Sequence, residues 1–445
     1  MAISISLNTN RLFSRGSFNI YTEYTDQPTK VITIGLDLND PHFDYSIKEL
    51  NALTQANRMH VVTTVVQKLD HPFAGTYFGP GKIQGLREIA KAQHADYIVV
   101  NDELTPSQIR NLEKMTGTPI IDRTGLILEI FANRARTKEA KLQVRLARLK
   151  YQMPRLRTSA SVRLDQQTGT GGGYTNRGSG ETLIEMKRRA LARQIYNIRH
   201  HLKAVNRTKK IQSHQRKAMT VPNVALVGYT NAGKSTILNQ LVKRWGTNEN
   251  KRVMVKNMLF ATLSTEVRKL TLPNHRRFML SDTVGFVSNL PHELISAFRS
   301  TLSEAANADL LIQVVDYSDP NRQLMMQTTM KTLNKIGIHG IPMITVLNKA
   351  DKVGKNYPIQ EGNDLIMSAQ DPTNRSIDAL VKMIEHRIYR NYVTATFLIP
   401  YKQGQIISYL NTHANVLQTK YSAKGTQIKV NLPKPVLNRI SRYQI

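Results

Sequence analysis

A chain of 445 residues, 40% of them hydrophobic, exceeds one ordinary core and predicts two to four domains; its lack of long apolar runs excludes a membrane-spanning helix. The absence of cysteine excludes disulfides, thiolate metal sites and cysteine nucleophiles, and suits a reducing compartment. Lys and Arg number 62 against 32 acids, and a net +30 is self-repulsion that a polyanion would relieve: nucleic acid first, an anionic membrane surface second.

The first 22 residues carry Arg11, Arg15, several Ser and no acid, a weak pattern for organelle import; a frayed terminus in a cytoplasmic protein is the preferred reading. From Val31 to about Ile130, short β-rich runs (Val31–Leu36, His60–Val66, Tyr97–Val100) alternate with helical stretches near Ser46–Arg58, Lys82–Gln93 and Thr105–Met115. That alternation predicts an α/β subdomain over residues 1–130. Phe78-Gly-Pro-Gly-Lys82 sits where a strand gives way to a helix. It either meets an anion or turns the chain, and the turn is favoured.

Residues 131–220 differ in character. Leu142, Leu146, Leu149, Met153 and Leu156 recur at about 3.5-residue spacing, and Ile184, Leu191, Ile195, Ile198, Leu202 and Val205 do likewise. Two such seams predict an antiparallel helical hairpin, with Pro154 near the end of its first arm. Ser159–Gly180 is too glycine-rich to build a core and is expected as a loop at the hairpin tip. The segment holds 22 Lys and Arg against four acids, so +18 of the +30 lies on one-fifth of the chain. A nearly uniform sign beside a glycine-rich tip favours a polyanion contact over a merely solvated face.

Residues 221–390 carry the chemistry. The strand-like Val224–Val227 leads into Gly228-Tyr229-Thr230-Asn231-Ala232-Gly233-Lys234-Ser235 and a helix opening at Thr236, the G-x-x-x-x-G-K-[ST] phosphate loop in the strand–loop–helix context it requires. Its glycines let backbone N–H groups turn toward phosphates, and the helix N-terminus adds its positive end. Lys234 places a charge on the β- and γ-phosphates, and the Ser235 hydroxyl suits Mg2+. A second strand, Arg277–Ser281, ends in Asp282-Thr-Val-Gly285; Asp282 can hold the metal, and the Gly285 amide can approach the γ-phosphate. Thr262 is the candidate switch hydroxyl over the metal, with Thr265 and Thr271 nearby. Phe286 follows Gly285 where many GTPases carry a water-orienting Gln, which predicts slow intrinsic hydrolysis with the missing group supplied elsewhere in the chain or by a partner. Asn231 either offers an oxygen to a monovalent cation or braces its loop.

Asn348-Lys349-Ala350-Asp351 after the strand Met343–Leu347 selects the base. A carboxylate only accepts hydrogen bonds, and guanine offers N1–H and N2–H on one edge; adenine would leave Asp351 desolvated and unpaired. Asn348 donates toward the base or ties down the phosphate loop, the Lys349 stem lies along the base, and the strand end at Ser368-Ala369 offers N–H groups to the guanine O6. GTP and GDP, with Mg2+, are therefore the expected ligands. Residues 391–445 read as a small α+β domain: strands at Ala395–Pro400, Asn415–Tyr421 and Gly425–Leu432, and a helix at Gln403–His413.

With these pieces placed, nearly the whole chain resembles the HflX family of ribosome-associated GTPases. The resemblance rests on Leu104-Thr-Pro-Ser-Gln-Ile-Arg-Asn-Leu112, on Ile121–Ala132 continuing to Lys141–Val144, on Arg177-Gly-Ser-Gly-Glu-Thr182, on Asp282-Thr-Val-Gly-Phe-Val287 and on Leu290-Pro-His-Glu-Leu294. It departs at Ser179, where members usually carry Pro. The resemblance implies a monomer binding the large ribosomal subunit and the 70S ribosome, with the hairpin tip at rRNA near the peptidyl-transferase centre. Gly171, Gly172, Gly173, Arg177, Gly178, Gly180, Lys187, Arg188 and Arg189 are the contacts it implies. It also implies a GTP form that splits stalled or idle ribosomes under stress or antibiotic challenge, and hydrolysis stimulated by the ribosome. A GTP-dependent assembly factor on large-subunit precursors is the alternative.

Overall fold

Val31 to Leu36 are buried without a polar interruption other than Thr33, as a strand covered on both faces requires. They form β1 (Thr29–Asp37) at the centre of an all-parallel sheet ordered β2-β1-β3-β4, with β2 (Met59–Lys68), β3 (Tyr97–Val100) and β4 (Ile120–Asp122). The computed structural model describes residues 28–156, 176–218, 221–246, 260, 266–288 and 303–445. The N-terminal import pattern, Gly171–Gly173, Thr262 and Leu290–Leu294 lie outside these residues.

The crossovers are α1 (Phe43–Ala56), α2 (Pro80–Ala92) and α3 (Pro106–Thr116). Ile83, Leu86 and Leu112 close the core over Ile32, Ile34, Ile98 and Ile120. At α3, Thr105 and Gln108 form a reciprocal capping box, and Gly117, at φ 72°, ends the helix. The Phe78–Lys82 segment is a helix start: Gly79 caps α2, Pro80 is its first residue, and the Gly79 amide donates to Gln67 Oε1 at 3.0 Å. This is the turn reading of that motif.

β4 runs directly into α4 (Arg123–Arg134), whose residues Arg123 to Phe131 are all buried. The charges there are paired. Arg123 forms an ion pair with Glu49 and donates from Nη1 to Asn101 Oδ1 at 2.9 Å. Asp122 accepts from Tyr151 Oη at 2.6 Å, from the Gly125 amide at 2.8 Å and from Arg155 Nη2 at 2.9 Å. Tyr151 belongs to α5 (Lys138–Gln152), which stops two residues before Pro154.

Next comes α6 (Asn176–Ala218), 43 residues long. Its start corrects one expectation: Arg177, Gly178 and Gly180 lie on this helix rather than in the tip loop. A glycine inside a helix costs about 1 kcal/mol relative to alanine, which a long helix already nucleated on its C-terminal side can absorb. Of the two predicted seams, Leu146, Leu149, Ile195, Ile198 and Leu202 are buried. The chain divides into two compact units, Met1–Asn133 with Arg148–Tyr196 and Arg134–Ala147 with Asn197–Ile445, so α5 and α6 each contribute to both.

The second unit contains a seven-stranded sheet ordered β10-β11-β9-β8-β5-β7-β6. Its strands are β5 (Asn223–Gly228), β6 (Glu266–Thr271), β7 (Arg277–Asp282), β8 (Leu310–Asp316), β9 (Met343–Asn348), β10 (Ile359–Glu361) and β11 (Asp364–Ile366). The five inner strands are parallel, while β6 and β10 pair antiparallel at the edges. The helices are α7 (Lys234–Trp245), α8 (Ser303–Ala306), α9 (Arg322–Ile336) and α10 (Arg375–Ile388). Leu226, Ile237, Leu241, Leu280, Ile312, Val346, Leu380 and Ile384 share the core, each worth roughly 1.5–3 kcal/mol on burial. An antiparallel sheet ordered β12-β14-β13 follows, from β12 (Tyr392–Ile399), β13 (Asn415–Ser422) and β14 (Gly425–Pro433), with α11 (Gly404–His413) and α12 (Lys434–Ile440).

Candidate functional site

The carboxyl ends of β5, β7, β9 and β11 gather every nucleotide-site residue that the structure describes. In an open parallel sheet these ends are where ligands bind. β5 is central, with Leu226 opposite Asp282 of β7 and Gly228 opposite Val314 of β8. Two glycines shape the loop that leaves it. Gly228 adopts φ 142°, and a Cβ there would stand 2.2 Å from the Val314 carbonyl oxygen. Gly233 adopts φ 100°, and a Cβ there would stand 2.1 Å from Asn348 Nδ2. Asn231, at φ 61°, is a residue type that tolerates the left-handed region.

α7 begins at Lys234 with no acid in its first turn, leaving its N-terminal amides to an anion. Lys234 is buried, and its Nζ donates to the carbonyls of Gly228 at 3.0 Å and Tyr229 at 2.7 Å. Burial lowers its pKa to about 8, against the pull of Asp282 and with help from Lys349. The ammonium is thus held in the loop's hollow with little hydration to lose. Next to it, Ser235 Oγ donates to Asp282 Oδ2 at 2.6 Å. One hydroxyl and one buried carboxylate, both hard oxygen donors, are what a Mg2+ ion shared with phosphate oxygens takes from a protein. Thr236 follows, half-buried, in the first turn of α7.

The strand-end segment of Asp282 to Ser288 is zipped to the phosphate loop. Thr283 Oγ1 donates to the Leu226 carbonyl at 2.7 Å. The Thr230 amide donates to the Phe286 carbonyl at 2.8 Å, and the Phe286 amide to the Gly228 carbonyl at 3.2 Å, so the β5–β7 pairing continues beyond the strands. Tyr229 Oη accepts from the Ser288 amide and meets Ser288 Oγ, both at 2.6 Å. Phe286, 2% exposed, is a core side chain and cannot orient water. No local sequence pattern marks this zipper, because each bond joins atoms more than fifty residues apart in the chain.

At the other end, Asn348 uses both halves of its amide on the protein. Nδ2 donates to the Ala232 carbonyl and Oδ1 accepts from the Ala369 amide, each at 2.9 Å. Of the two roles open to Asn348, the structure displays the brace. Ser368 and Ala369 are buried; the Ser368 hydroxyl accepts from the Gln370 amide at 3.2 Å. Lys349, at φ 69°, donates from Nζ to Asp316 Oδ2 at 2.7 Å, which fixes its stem. Asp351 is exposed in a short 3-10 turn, Ala350–Val353, with its carboxylate accessible. Two acids escaped the sequence reading. Asp316, at the end of β8, anchors Lys349. Asp371 accepts from the Thr373 amide at 2.9 Å, the Thr373 hydroxyl at 2.6 Å and the Ser376 amide at 2.9 Å. Burial pushes the Asp371 carboxyl up, but these hydrogen bonds outweigh it and bring the pKa down to about 2. The Asp-x-Thr spacing before a helix is the signal that marks it.

The residues 44–132, 134–216 and 223–349 match, in turn, families described as GTP-binding GTPase N-terminal, GTP-binding GTPase Middle Region and 50S ribosome-binding GTPase. The GTPase HflX of Caldanaerobacter subterraneus subsp. tengcongensis is 38% identical over 409 residues, 92% of each chain. The chain belongs to the HflX GTPase family. The GTPase HflX of Alkalihalophilus pseudofirmus is 40% identical over 381 residues, 85% of this chain and 87% of that one. Among solved structures, a GTP-binding protein from Sulfolobus solfataricus in complex with GDP aligns at 24% identity, TM-score 0.42, over 81% of this chain and 99% of that one. As an HflX GTPase the chain is a GTP-hydrolysing enzyme.

On α6, Lys187, Arg188, Arg189, Arg193, Arg199, Lys203 and Arg207 are exposed. Arg189 pairs with Glu185 at 2.7 Å, both side chains mostly in solvent. The side chain of Arg177 is not among those described.

Proposed function

We infer that this GTPase binds the large ribosomal subunit in its GTP form and separates stalled or idle 70S ribosomes, with hydrolysis on the ribosome releasing it. The observation that carries this reading is the concentration of +18 between residues 131 and 220, with a row of exposed cations on α6 in the same chain as a guanine-nucleotide site. Ribosomal RNA is the polyanion that such a rod fits, and its affinity is electrostatic and salt-dependent. The family description 50S ribosome-binding GTPase for residues 223–349 supports the same partner.

In this reading the β- and γ-phosphates lie on the amides of Gly228–Thr236 with Lys234 between them. Ser235 and Asp282 would hold Mg2+, with Thr262 as the switch hydroxyl, and the ion would supply positive charge to the phosphates. Asp351 accepts N1–H and N2–H of guanine, the Lys349 stem covers the base, and the Ser368–Ala369 strand end faces O6. The Gly285 amide senses the γ-phosphate. The tip glycines Gly171–Gly173 with Arg177–Gly180 and Lys187–Arg189 meet rRNA near the peptidyl-transferase centre. The factor acts as a cytoplasmic monomer.

Sedimentation of 70S ribosomes incubated with the protein and a non-hydrolysable GTP analogue tests the proposal. Free subunits, with the protein on the large one, are expected with the analogue and not with GDP. Intact 70S with protein on free large subunits alone would replace splitting by an assembly role.

A further inference from the structure

Phe286 leaves an unanswered chemical requirement: some polar group has to orient the water that attacks the γ-phosphate. Thr230, the third residue of the phosphate loop, has the properties of that group. Its backbone amide is committed to the Phe286 carbonyl at 2.8 Å, which fixes the residue's position. Its side chain is buried at 7% exposure, and Oγ1 has no hydrogen-bond partner among the described residues. A buried hydroxyl left unpaired is costly, so it marks an atom whose partner arrives with a ligand.

The surroundings say which ligand. A Cβ built on Gly285 would stand 2.7 Å from Thr230 Cγ2, 2.8 Å from Thr230 Cα and 3.1 Å from Lys234 Nζ. Thr230, Gly285 and Lys234 therefore converge on one point. Lys234 and the Gly285 amide are the two groups that the motifs assign to the terminal phosphate. The methyl of Thr230 packs on Gly285, and its hydroxyl is the remaining polar atom of the trio. Valine would fill the same space, so packing alone does not explain a hydroxyl there.

We propose that the Thr230 hydroxyl orients the attacking water during GTP hydrolysis, in the place that Phe286 cannot fill. The hydroxyl has one hydrogen to donate and two lone pairs to accept with. It accepts a hydrogen from the water and donates its own to a γ-phosphate oxygen, holding the water oxygen in line with the scissile bond. The water oxygen bonds to the γ-phosphorus, and the bond from that phosphorus to the β,γ-bridging oxygen breaks. Its electron pair stays on GDP, and a water proton passes to the phosphate product. Thr230 ends the step unchanged.

The inference rests on the guanine-nucleotide site, and the test separates the two. Thr230→Val keeps shape and the methyl; Thr230→Ser keeps the hydroxyl and loses the methyl. Single-turnover hydrolysis, the Kd for GDP and for a non-hydrolysable GTP analogue, and Tm are measured for wild type and both variants. Thr230→Val is expected to slow hydrolysis at least about tenfold with the Kd for GDP, which has no γ-phosphate, within about threefold of wild type and the Kd for the analogue weakened by less than the rate, and Thr230→Ser to recover most of the rate. An unchanged rate in Thr230→Val overturns the proposal. So does equal slowing in both variants, which would make the methyl's packing the cause. So does a rate loss matched by weakened GDP binding or lowered Tm, which would make Thr230 a structural brace. Failure of wild type to bind GDP would instead sink the site itself.

Discussion

Replacing Asn348 by alanine removes one side chain and strands two backbone groups. The Ala232 carbonyl loses its 2.9 Å donor and the Ala369 amide loses its 2.9 Å acceptor, both at buried positions. Each buried group left unpaired costs about 1–3 kcal/mol, so the pair predicts a loss of about 2–4 kcal/mol after partial relaxation. The loss divides between fold stability and nucleotide binding, because Asn348 holds the phosphate loop and the base-side loop at a fixed separation. If about 2 kcal/mol falls on binding, GDP affinity drops about thirtyfold. Calorimetric titration with GDP, beside a thermal melt, reads both parts. An Asn348→Ala protein that binds GDP within threefold of wild type and melts at the same temperature would refute the reasoning.

Further expectations follow from other groups. Asp351→Asn should weaken GDP binding at least about tenfold and improve binding of xanthosine diphosphate, whose C2 carbonyl meets the amide's donor; competition binding with both nucleotides checks it. Lys234, lowered to about 8 by burial, should draw in a proton when phosphates arrive, so GDP affinity should decline above about pH 8. Titration in buffers of different ionisation heat reads that proton. Because its folded value lies below the unfolded 10.5, the nucleotide-free protein should gain stability as pH rises from about 8 toward 10.5. Asp371→Ala should cost about 1–2 kcal/mol of stability. The contribution of Asp371 is present above its unfolded 3.8 and is lost as pH falls through about 2, which acid melts of wild type and variant would show. Replacing Lys187, Arg188 and Arg189 together by alanine should weaken large-subunit binding and flatten its dependence on log salt by about 2–3 units; an unchanged slope would exclude this face of α6 from the contact.

What could be read in advance was local chemistry. A phosphate loop needs its glycines, lysine and hydroxyl within eight residues, and Gly228 and Gly233 have left-handed backbones against which a side chain would collide. Strands with an apolar run, unbroken in Val224–Val227 and interrupted by Thr33 in Val31–Leu36, were equally visible. β4 and α4 were not, because three residues pass directly into a helix buried almost all round, which has no amphipathic period to detect. The zipper between Phe286 and Gly228 was invisible for another reason: backbone groups carry no sequence signature. The same holds for the pairing of Asp316 with Lys349, two residues that only the order of β8 and β9 brings together. The start of α6 at Asn176 was hidden by glycines, whose local preference is overruled by the length of the helix behind them.

The continuation of sheet pairing past β5 and β7 has a thermodynamic corollary. A loop already bonded at Gly228 and Thr230 has little conformational freedom left to surrender when phosphates dock, so association should show a small entropic penalty at that end.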